Sequence, residues 1–457
     1  MKREAYDVCV IGGGPAGAII AARLGEYGFS VVLLEGVTRA APSCAYSIPA
    51  AAANWLREVG GGADFTRTGT LHLQGSLLRW NRTETETRDS ASLIVDPVAL
   101  AATLRTEAMK KGVALLQPIK VQRLEVTANG WQIHCVTGPP LNARFVVDAT
   151  GRRSKFAGAR IPHLPRTAAL VASFSDVPLP ATRQCSEALA DGWLWGAPMP
   201  EGGWAVAMFT DPAQLQGLSE AQRLARLQQW LAASELLRPC LQGRRRTAPR
   251  VCDATGERAA VVATPNLLRI GDAALALDPL SSQGVLASVR SAWQGASGVR
   301  TILARPEQTA AAIAFHEAGI RRGAAQNRAV AGKLYAEVNR FAKLPFWSAR
   351  ALPAAPPPPR AKDFSEATRL RLSPQATLQL APVLRDGWIE EATALHAPML
   401  AEPVAYLGDI ALAPLLRGIE PGCAGAELLR RWVKRFPLSQ GRTLLGWLWQ
   451  TGTLEAL

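Results

Sequence analysis

An α/β fold is predicted by two observations on this 457-residue sequence. The first is a strand, glycine loop, helix and strand in succession over residues 6–35, and the second is a set of apolar strands that end at Gly or Asp. Parallel strands buried on both faces have this near-continuous apolar character. We expect a Rossmann-like cofactor-binding domain, an interleaved β-sheet domain for the substrate, and a small, mainly helical C-terminal domain.

The glycine loop follows the apolar strand at residues 6–11 and has glycines at the G-x-G-x-x-G spacing. A second strand ends at Glu35, 18 residues after the last of these glycines. In this pattern the glycines permit a tight turn, close approach of a pyrophosphate and close helix packing, and the acid binds a ribose hydroxyl. The dinucleotide site is predicted to include Gly12, Gly14, Pro15, Ala16, Gly17 and Glu35.

Two further motifs follow strands later in the chain. The strand at 145–147 runs into Asp148-Ala149-Thr150-Gly151, and the strand at 266–270 runs into Gly271-Asp272 and a loop over 278–284 that precedes a helix. Asp148 could equally be a turn residue at the strand end, and Asp272 could be a helix cap.

In this order the three motifs resemble those of the FAD-dependent monooxygenases built like p-hydroxybenzoate hydroxylase. The resemblance implies that reduced FAD, formed with NAD(P)H, reacts with O2 to give a flavin hydroperoxide, so that no catalytic triad or dyad is needed. It also implies that the glycine loop holds the ADP half of FAD and that Asp272 binds the ribityl hydroxyls. The further FAD contacts implied are Arg39, Asp148, Gly151, Gly271, Pro279, Gln283 and Gly284.

The stretch Trp193-Leu194-Trp195-Gly196-Ala197-Pro198 resembles the W-x-W-x-x-P motif of flavin-dependent tryptophan halogenases and of their relatives that mature protein-derived quinones. Tryptophans at i and i+2 of a strand face one side, which a packing pair inside a sheet would explain equally well. With Ser47, from a stretch that resembles the family's C-G-E-S-x-P, Trp193 and Trp195 are the candidate substrate residues. The lysine motif of the halogenases is not found.

Within this group the sequence resembles the tryptophan-hydroxylating flavoproteins of quinohemoprotein amine dehydrogenase maturation. The implied reaction is hydroxylation of a tryptophan side chain in an acidic polypeptide, the small subunit of a quinone-containing amine dehydrogenase. Two alternatives stay open. One is a small-molecule flavoenzyme (an aromatic hydroxylase, a halogenase or a geranylgeranyl-type reductase), and the other is an FAD-binding chaperone for a partner protein.

The domain boundaries are predicted from these motifs and from a Pro-rich linker at 351–360. Residues 361–457 are expected to form a separate domain, similar to winged-helix modules that hold precursor peptides; a lid on the flavin domain is the alternative. The interleaved domains are expected at 1–165 with 251–350 for FAD, and at 66–95 with 166–250 for the substrate.

The net charge of +14, from 51 basic and 37 acidic residues, favours an acidic partner, although GC-rich coding would also enrich Arg. The densest cluster, Arg244-Arg245-Arg246, has no aromatic residues interleaved, which argues against nucleic acid. The His and Cys residues have no metal-ligand spacing, so no metal is expected. With no long apolar stretch and no signal peptide, the protein is expected to be cytoplasmic and not membrane-bound.

Overall fold

The computed structural model of the chain describes residues 5–36, 45–60, 69–352 and 365–457. The chain divides into two compact units. The first contains Met1–Arg300 and His316–Ala354, and the second contains Thr301–Phe315 and Ala355–Leu457. Within the described ranges, no helix combines the length and the apolar character that a membrane crossing requires.

The first sheet of the first unit is built around the strand Ala5–Ile11, which pairs in parallel with Leu141–Asp148 and Val31–Leu34. Val8 and Val10 are fully buried, as expected for a strand covered on both faces. The order of this eight-stranded sheet is Ala263–Thr264, Leu267–Arg269, Leu141–Asp148, Ala5–Ile11, Val31–Leu34 and Ala114–Leu116, with Gly130–Cys135 beside Leu141–Asp148 and Val121–Thr127 beside Gly130–Cys135.

The register of the first sheet brings the ends of its parallel strands to one edge. Ile11 lies beside both Leu34 and Asp148, and Asp148 lies beside Arg269. The segments that follow these strands therefore leave the sheet at neighbouring points, where ligands of open parallel sheets bind.

The first helix begins at Pro15, directly after the glycine loop, because proline is tolerated where a helix leaves its first N–H groups unpaired. The helices of the first unit are Pro15–Glu26, Ala53–Val59, Pro97–Lys110, Glu220–Ala233 and Pro345–Ser348, and the long helices Gly284–Ala304 and Thr309–Ala336 have residues in both units.

The second sheet is mostly antiparallel and is buried on both faces. Along the strand Ala168–Ser175, Leu170 packs in a core cluster with Trp230, whereas Val171 packs in another cluster with Trp193. The order of this eight-stranded sheet is Arg244–Arg245, Ala168–Ser175, Trp204–Thr210, Gly192–Pro198, Arg183–Leu189, Gly75–Arg79 and Glu86–Arg88, with Arg250–Asp253 also paired to Ala168–Ser175.

Two small antiparallel sheets complete the first unit. One contains Tyr46–Pro49, Ser92–Val95 and Thr70–Leu73, and the other contains Arg160–Pro162, Glu257–Ala259 and Leu275–Ala276. The mixed α/β architecture with a parallel core agrees with the predicted fold class.

Residues 365–457 of the second unit contain three short helices and several strands around an apolar core that includes Leu370, Trp432 and Leu444. The helices are Leu412–Leu416, Gly425–Trp432 and Leu438–Gln450. The strands are Arg369–Leu372 between Cys423–Ala424 and Leu454–Ala456, the hairpin Thr377–Arg385 with Trp388–His396, and the pair Tyr406–Leu407 with Ile410–Ala411.

The hairpin in this unit is closed by Asp386 and Gly387, which both have positive φ, of 49° and 76°. Two central residues with positive φ match the twist of antiparallel strands, so Asp-Gly is a strong hairpin turn.

Candidate active site

A cavity of about 670 Å³ lies in the first unit, lined by the segments that follow the parallel strands and by side chains of the second sheet. This volume is typical of cofactor sites, which span about 300–1,000 Å³. The predicted residues that line it are Gly12, Gly14, Pro15, Ala16, Glu35, Ser47, Gly151, Trp193, Trp195, Gly271, Asp272, Pro279 and Gly284. Gly17, Asp148 and Gln283 are not among the lining residues, and Arg39 lies outside the described residues.

The glycine loop is tightly packed on one side and bare on the other. Gly12 has φ +104°, and a Cβ there would lie 2.4 Å from the carbonyl oxygen of Ala149. A Cβ at Gly17 would lie 1.8 Å from the carbonyl oxygen of Gly12, so Gly17 serves the close packing of helix and loop. A Cβ at Gly14 would meet nothing within 4 Å. Gly14 directly precedes the helix Pro15–Glu26, and its backbone is therefore accessible from the cavity at the N-terminus of this helix.

Two charged side chains hold the glycine loop at Gly13. The Gly13 N–H donates to the Glu35 carboxylate, and Arg105 Nη1 donates to the Gly13 carbonyl at 2.9 Å. Arg105 is buried and belongs to the helix Pro97–Lys110, far from the loop in sequence. Sequence reasoning missed Arg105, although an arginine on the same helix face as Leu100, Leu104 and Ala108 was a usable signal.

Asp148 organises the turn that follows its strand. Its carboxylate accepts hydrogen bonds from Thr150 Oγ1 at 2.7 Å and from Ser154 Oγ at 2.6 Å, and the side chain is fully buried. Of the two interpretations that the sequence left open, this geometry favours the turn residue. The turn exposes Gly151 to the cavity with φ +78° and no atom near its Cβ position.

Asp272 faces the cavity and is about a third exposed, at 35%. Ser288 Oγ donates to Asp272 Oδ1 at 3.4 Å, and Arg152 Nε lies 3.7 Å from Oδ2. Desolvation raises the pKa of Asp272, while the charge of Arg152 and the Ser288 hydrogen bond act in the opposite direction. The remaining acceptor positions of this carboxylate can bind a ligand hydroxyl.

The loop before the long helix Gly284–Ala304 is fixed by Asp278. The buried Asp278 carboxylate accepts from the Leu280 N–H at 3.0 Å and from the Tyr335 hydroxyl at 3.1 Å. Burial raises the pKa of both Asp278 and Tyr335. A Cβ at Gly284 would meet nothing within 4 Å, so this helix also begins with accessible backbone at the cavity.

The second sheet contributes an aromatic wall. The side chain of Trp193 is buried, with 3% exposed, and its ring stacks on that of Phe209 with the ring centroids 4.1 Å apart. Trp195 lies on the same side of its strand, as predicted, and its Nε1 donates to Gln184 Oε1 at 3.3 Å. Gln184 was not anticipated, because its role depends on strand pairing that is invisible in local sequence.

These features fit a bound FAD. Gly14, Gly151 and Gly284 present bare backbone to one cavity, two helices begin there, and Asp272 offers an acceptor for a hydroxyl. The described part of the chain contains no cluster of His, Cys, Asp and Glu that could hold a metal ion.

Comparisons with known proteins agree with this geometry. LodB of Marinomonas mediterranea, named as an FAD-dependent oxidoreductase, is 27% identical over 310 residues, which are 63% of this chain and 83% of LodB. QhpG, a peptidyl tryptophan dihydroxylase described as essential for tryptophylquinone cofactor biogenesis, has TM-score 0.80 and 26% identity over 98% of this chain and 99% of QhpG. The flavin-dependent halogenase CmlS shares the fold, with TM-score 0.79 and 19% identity over 100% of this chain and 96% of CmlS.

The predicted fold class, FAD cofactor and enzyme class are confirmed by these relatives together. The profile of the tryptophan halogenase family matches residues 55–377, which is more than half of the chain. The chain therefore belongs to the tryptophan halogenase family and is an FAD-dependent oxidoreductase.

Proposed function

We propose that this enzyme hydroxylates a tryptophan side chain in an acidic polypeptide during biogenesis of a protein-derived quinone cofactor. The observation that carries the proposal is the similarity to the peptidyl tryptophan dihydroxylase QhpG, which extends over 98% of this chain at 26% identity. The domain expected at 361–457 lies inside that matched length, which supports a role for it in holding a large substrate.

FAD, reduced by NAD(P)H, supplies the activation of O2 in this proposal. The chain's own part is to bind and orient. Backbone N–H groups at the glycine loop would hold the phosphates, the Asp272 carboxylate would accept from the ribityl hydroxyls, and the loop fixed by Asp278 would lie beside the flavin ring.

The aromatic wall supports an aromatic substrate. Trp193 and Phe209 stack on each other and line the cavity with apolar surface, against which an indole ring would pack. None of the described residues that line the cavity is a lysine, the residue type that halogenases place beside their chlorinating channel. This composition favours hydroxylation over halogenation.

Mass spectrometry tests the proposal. The FAD-loaded enzyme is incubated with NAD(P)H, O2 and the small subunit of a quinone-containing amine dehydrogenase, and the subunit is digested and sequenced. The expected result is oxygen added to a tryptophan side chain, absent when NAD(P)H is withheld. An unmodified subunit together with rapid NAD(P)H oxidation would contradict a polypeptide substrate.

A small-molecule flavoenzyme is the second candidate, favoured by the full-length fold match to the halogenase CmlS. This alternative predicts that free aromatic compounds raise oxygen uptake and appear as hydroxylated or halogenated products without any polypeptide. Product analysis with and without halide distinguishes the two outcomes.

A further inference from the structure

One edge of the second sheet is formed by two short strands, Arg244–Arg245 and Arg250–Asp253. Both pair with Ala168–Ser175, and among the described residues neither pairs with a strand on its other side. The Ala254 N–H donates to the Thr167 carbonyl at 2.9 Å, and hydrogen-bonded pairs alternate along antiparallel strands. The N–H and C=O groups of Val251 and Asp253 therefore point away from the sheet, toward the open edge.

Arginines at this edge share a face with the cavity. Ala169 lies opposite Cys252, and Val171 lies opposite Arg250. The cavity is lined by Ala169, Val171 and Cys252. Two rows further along the same strand, Ser175 lies opposite Arg244, and the Arg246 N–H donates to the Ser173 carbonyl between them. Residues of one strand two apart share a face with their cross-strand partners. We call Arg244, Arg246 and Arg250 the arginine row; all three are exposed.

Arg245 lies on the opposite face, beside Phe174, and its Nη1 is 3.9 Å from Glu220. Among the described residues, Arg244 and Arg250 form no salt bridge, and Arg246 Nη1 donates to the Gly202 carbonyl at 2.7 Å. Within the described ranges none of these three arginines is paired with a carboxylate, so the arginine row is a strip of positive charge that leads along the sheet to the cavity.

The distribution of charge supports an acidic partner at this strip. Residues 365–457 contain nine basic and nine acidic side chains, so the net charge of +14 lies entirely in the rest of the chain. Arg431, one of the basic residues of the second unit, is paired with Glu427 at 2.6 Å. Charge recognition of an acidic substrate is therefore better served by the first unit.

We propose that an extended acidic segment of the polypeptide substrate adds as a strand to the open edge of Arg250–Asp253, over the arginine row, and delivers its aromatic side chain to the cavity. The proposal rests on the proposed function. Rows two residues apart are separated by about 7 Å, at about 3.4 Å per residue. The aromatic residue at the Cys252 row would then have acidic residues at the second, fourth and sixth positions along one direction, over Arg250, Arg246 and Arg244.

Charged residues at a sheet edge also protect it from aggregation, as does the proline at 249. Protection of this kind does not depend on which face the arginine occupies. Arg245, on the opposite face of the same edge, is therefore a matched control for Arg250 and Arg244.

The test uses a fluorescein-labelled synthetic peptide with one Trp and Glu at the second, fourth and sixth positions after it, and the full-length FAD-loaded protein. Anisotropy should show binding that weakens with salt. The variants R250E and R244E are each expected to weaken binding about tenfold or more, because each reverses a charge at the contact, and R245E less than about threefold. A control peptide of the same composition, with Glu at odd positions after the Trp, should bind the wild-type protein as weakly as the first peptide binds R250E. N-methylation of alternate backbone amides of the first peptide should also weaken its binding.

Equal losses in R250E and R245E, or equal binding of both peptides, would overturn the inference and indicate unspecific charge attraction. Hydroxylation of the polypeptide by R250E at the wild-type rate would also overturn it while leaving the proposed function intact. No oxygen on any tryptophan with the wild type, but free aromatic products, would instead reject the proposed function.

Discussion

The two sides of the cavity differ in the groups that they present to a ligand: one side presents backbone and the other presents large side chains. On the side of the first sheet, Gly14, Gly151 and Gly284 present backbone with no side chain in the way. On the side of the second sheet, Trp193 and Phe209 present large side chains from paired strands. The first side suits a ligand recognised through phosphate and hydroxyl groups, and the second suits one recognised by shape.

This difference teaches why one side is readable in a sequence and the other is not. Backbone recognition requires glycine at set spacings after a strand, which is a local pattern. Side-chain recognition depends on which strands become neighbours, which is settled only by the whole fold.

The largest effect is expected for Gly14→Val, which should abolish FAD binding. The added side chain would occupy the open space in front of Gly14, where the loop would meet the pyrophosphate. Flavin absorbance of the purified protein measures the loss. Gly446→Val, at another glycine with an open Cβ position but outside the cavity lining, should keep full FAD. A yellow, fully loaded Gly14→Val protein would remove the glycine loop from the cofactor site.

Asp272→Ala should weaken FAD binding about ten- to a hundredfold, since a buried polar partner left unpaired costs about 1–3 kcal/mol. Asp272→Asn keeps an acceptor oxygen and should lose much less. Titration of the apoprotein with FAD, followed by flavin fluorescence, compares the two. Equal affinities for wild type and Asp272→Ala would mean that Asp272 serves only its contacts with Ser288 and Arg152 and does not bind FAD.

His316 is a buried histidine that supports the first sheet, at the strand Leu267–Arg269. Its Nε2 hydrogen-bonds the Arg269 carbonyl at 2.8 Å, and burial lowers its pKa from 6.5 to about 4. Between about pH 6.5 and pH 4 the unfolded chain therefore binds a proton at His316 that the folded chain does not, so the free energy of unfolding falls as the pH falls through this range. The loss should reach about 2 kcal/mol at about pH 5, at about 1.4 kcal/mol per pH unit.

Urea denaturation near neutral pH and near pH 5 measures this loss. His316→Gln carries no titrating group at this position and should show a flatter pH dependence. An identical slope in both proteins would show that His316 does not set the acid sensitivity.

The smallest effect is expected for Trp193→Phe, which should lower the rate of substrate oxygenation about three- to tenfold with FAD affinity unchanged. An aromatic contact is worth about 0.5–1.5 kcal/mol, and a smaller ring preserves only part of it. Trp347→Phe is the control, because Trp347 packs in the same core cluster without lining the cavity. If both variants lose oxygenation equally, core packing and not the wall itself explains the loss.

The same division separates the cavity residues that a sequence pattern predicts from those that it does not. The glycine loop, Gly271 and Asp272 could be predicted from the sequence because strand, turn and charge occur within a few residues of each other. Arg105, Gln184 and Tyr335 could not, because each acts on a segment more than ten residues away. Gln283 is predicted to contact FAD because it lies in the same loop as Pro279 and Gly284. The preceding residue, Ser282, has a left-handed backbone with φ 51°, and Gln283 is not among the residues that line the cavity.

The hairpin of the second unit was missed for a local reason. The apolar residues of Arg369–Leu372 and of residues 387–389 would allow these two segments to pair, but Arg369–Leu372 pairs with the strand Leu454–Ala456 instead. The Asp386-Gly387 turn joins Arg385 directly to Trp388, so turn chemistry and not apolar pattern decides the pairing.

The bare glycines of the cofactor side also determine where this fold can change over evolution. A position without a side chain can vary only by gaining one, and at Gly14, Gly151 and Gly284 any gain would project into the cavity. Strand residues of the aromatic wall have no such restriction, provided that volume is conserved. New substrates can therefore arise by drift on one side of the cavity while the flavin site stays fixed, and a designer seeking a new activity should randomise the strands and leave the loops alone.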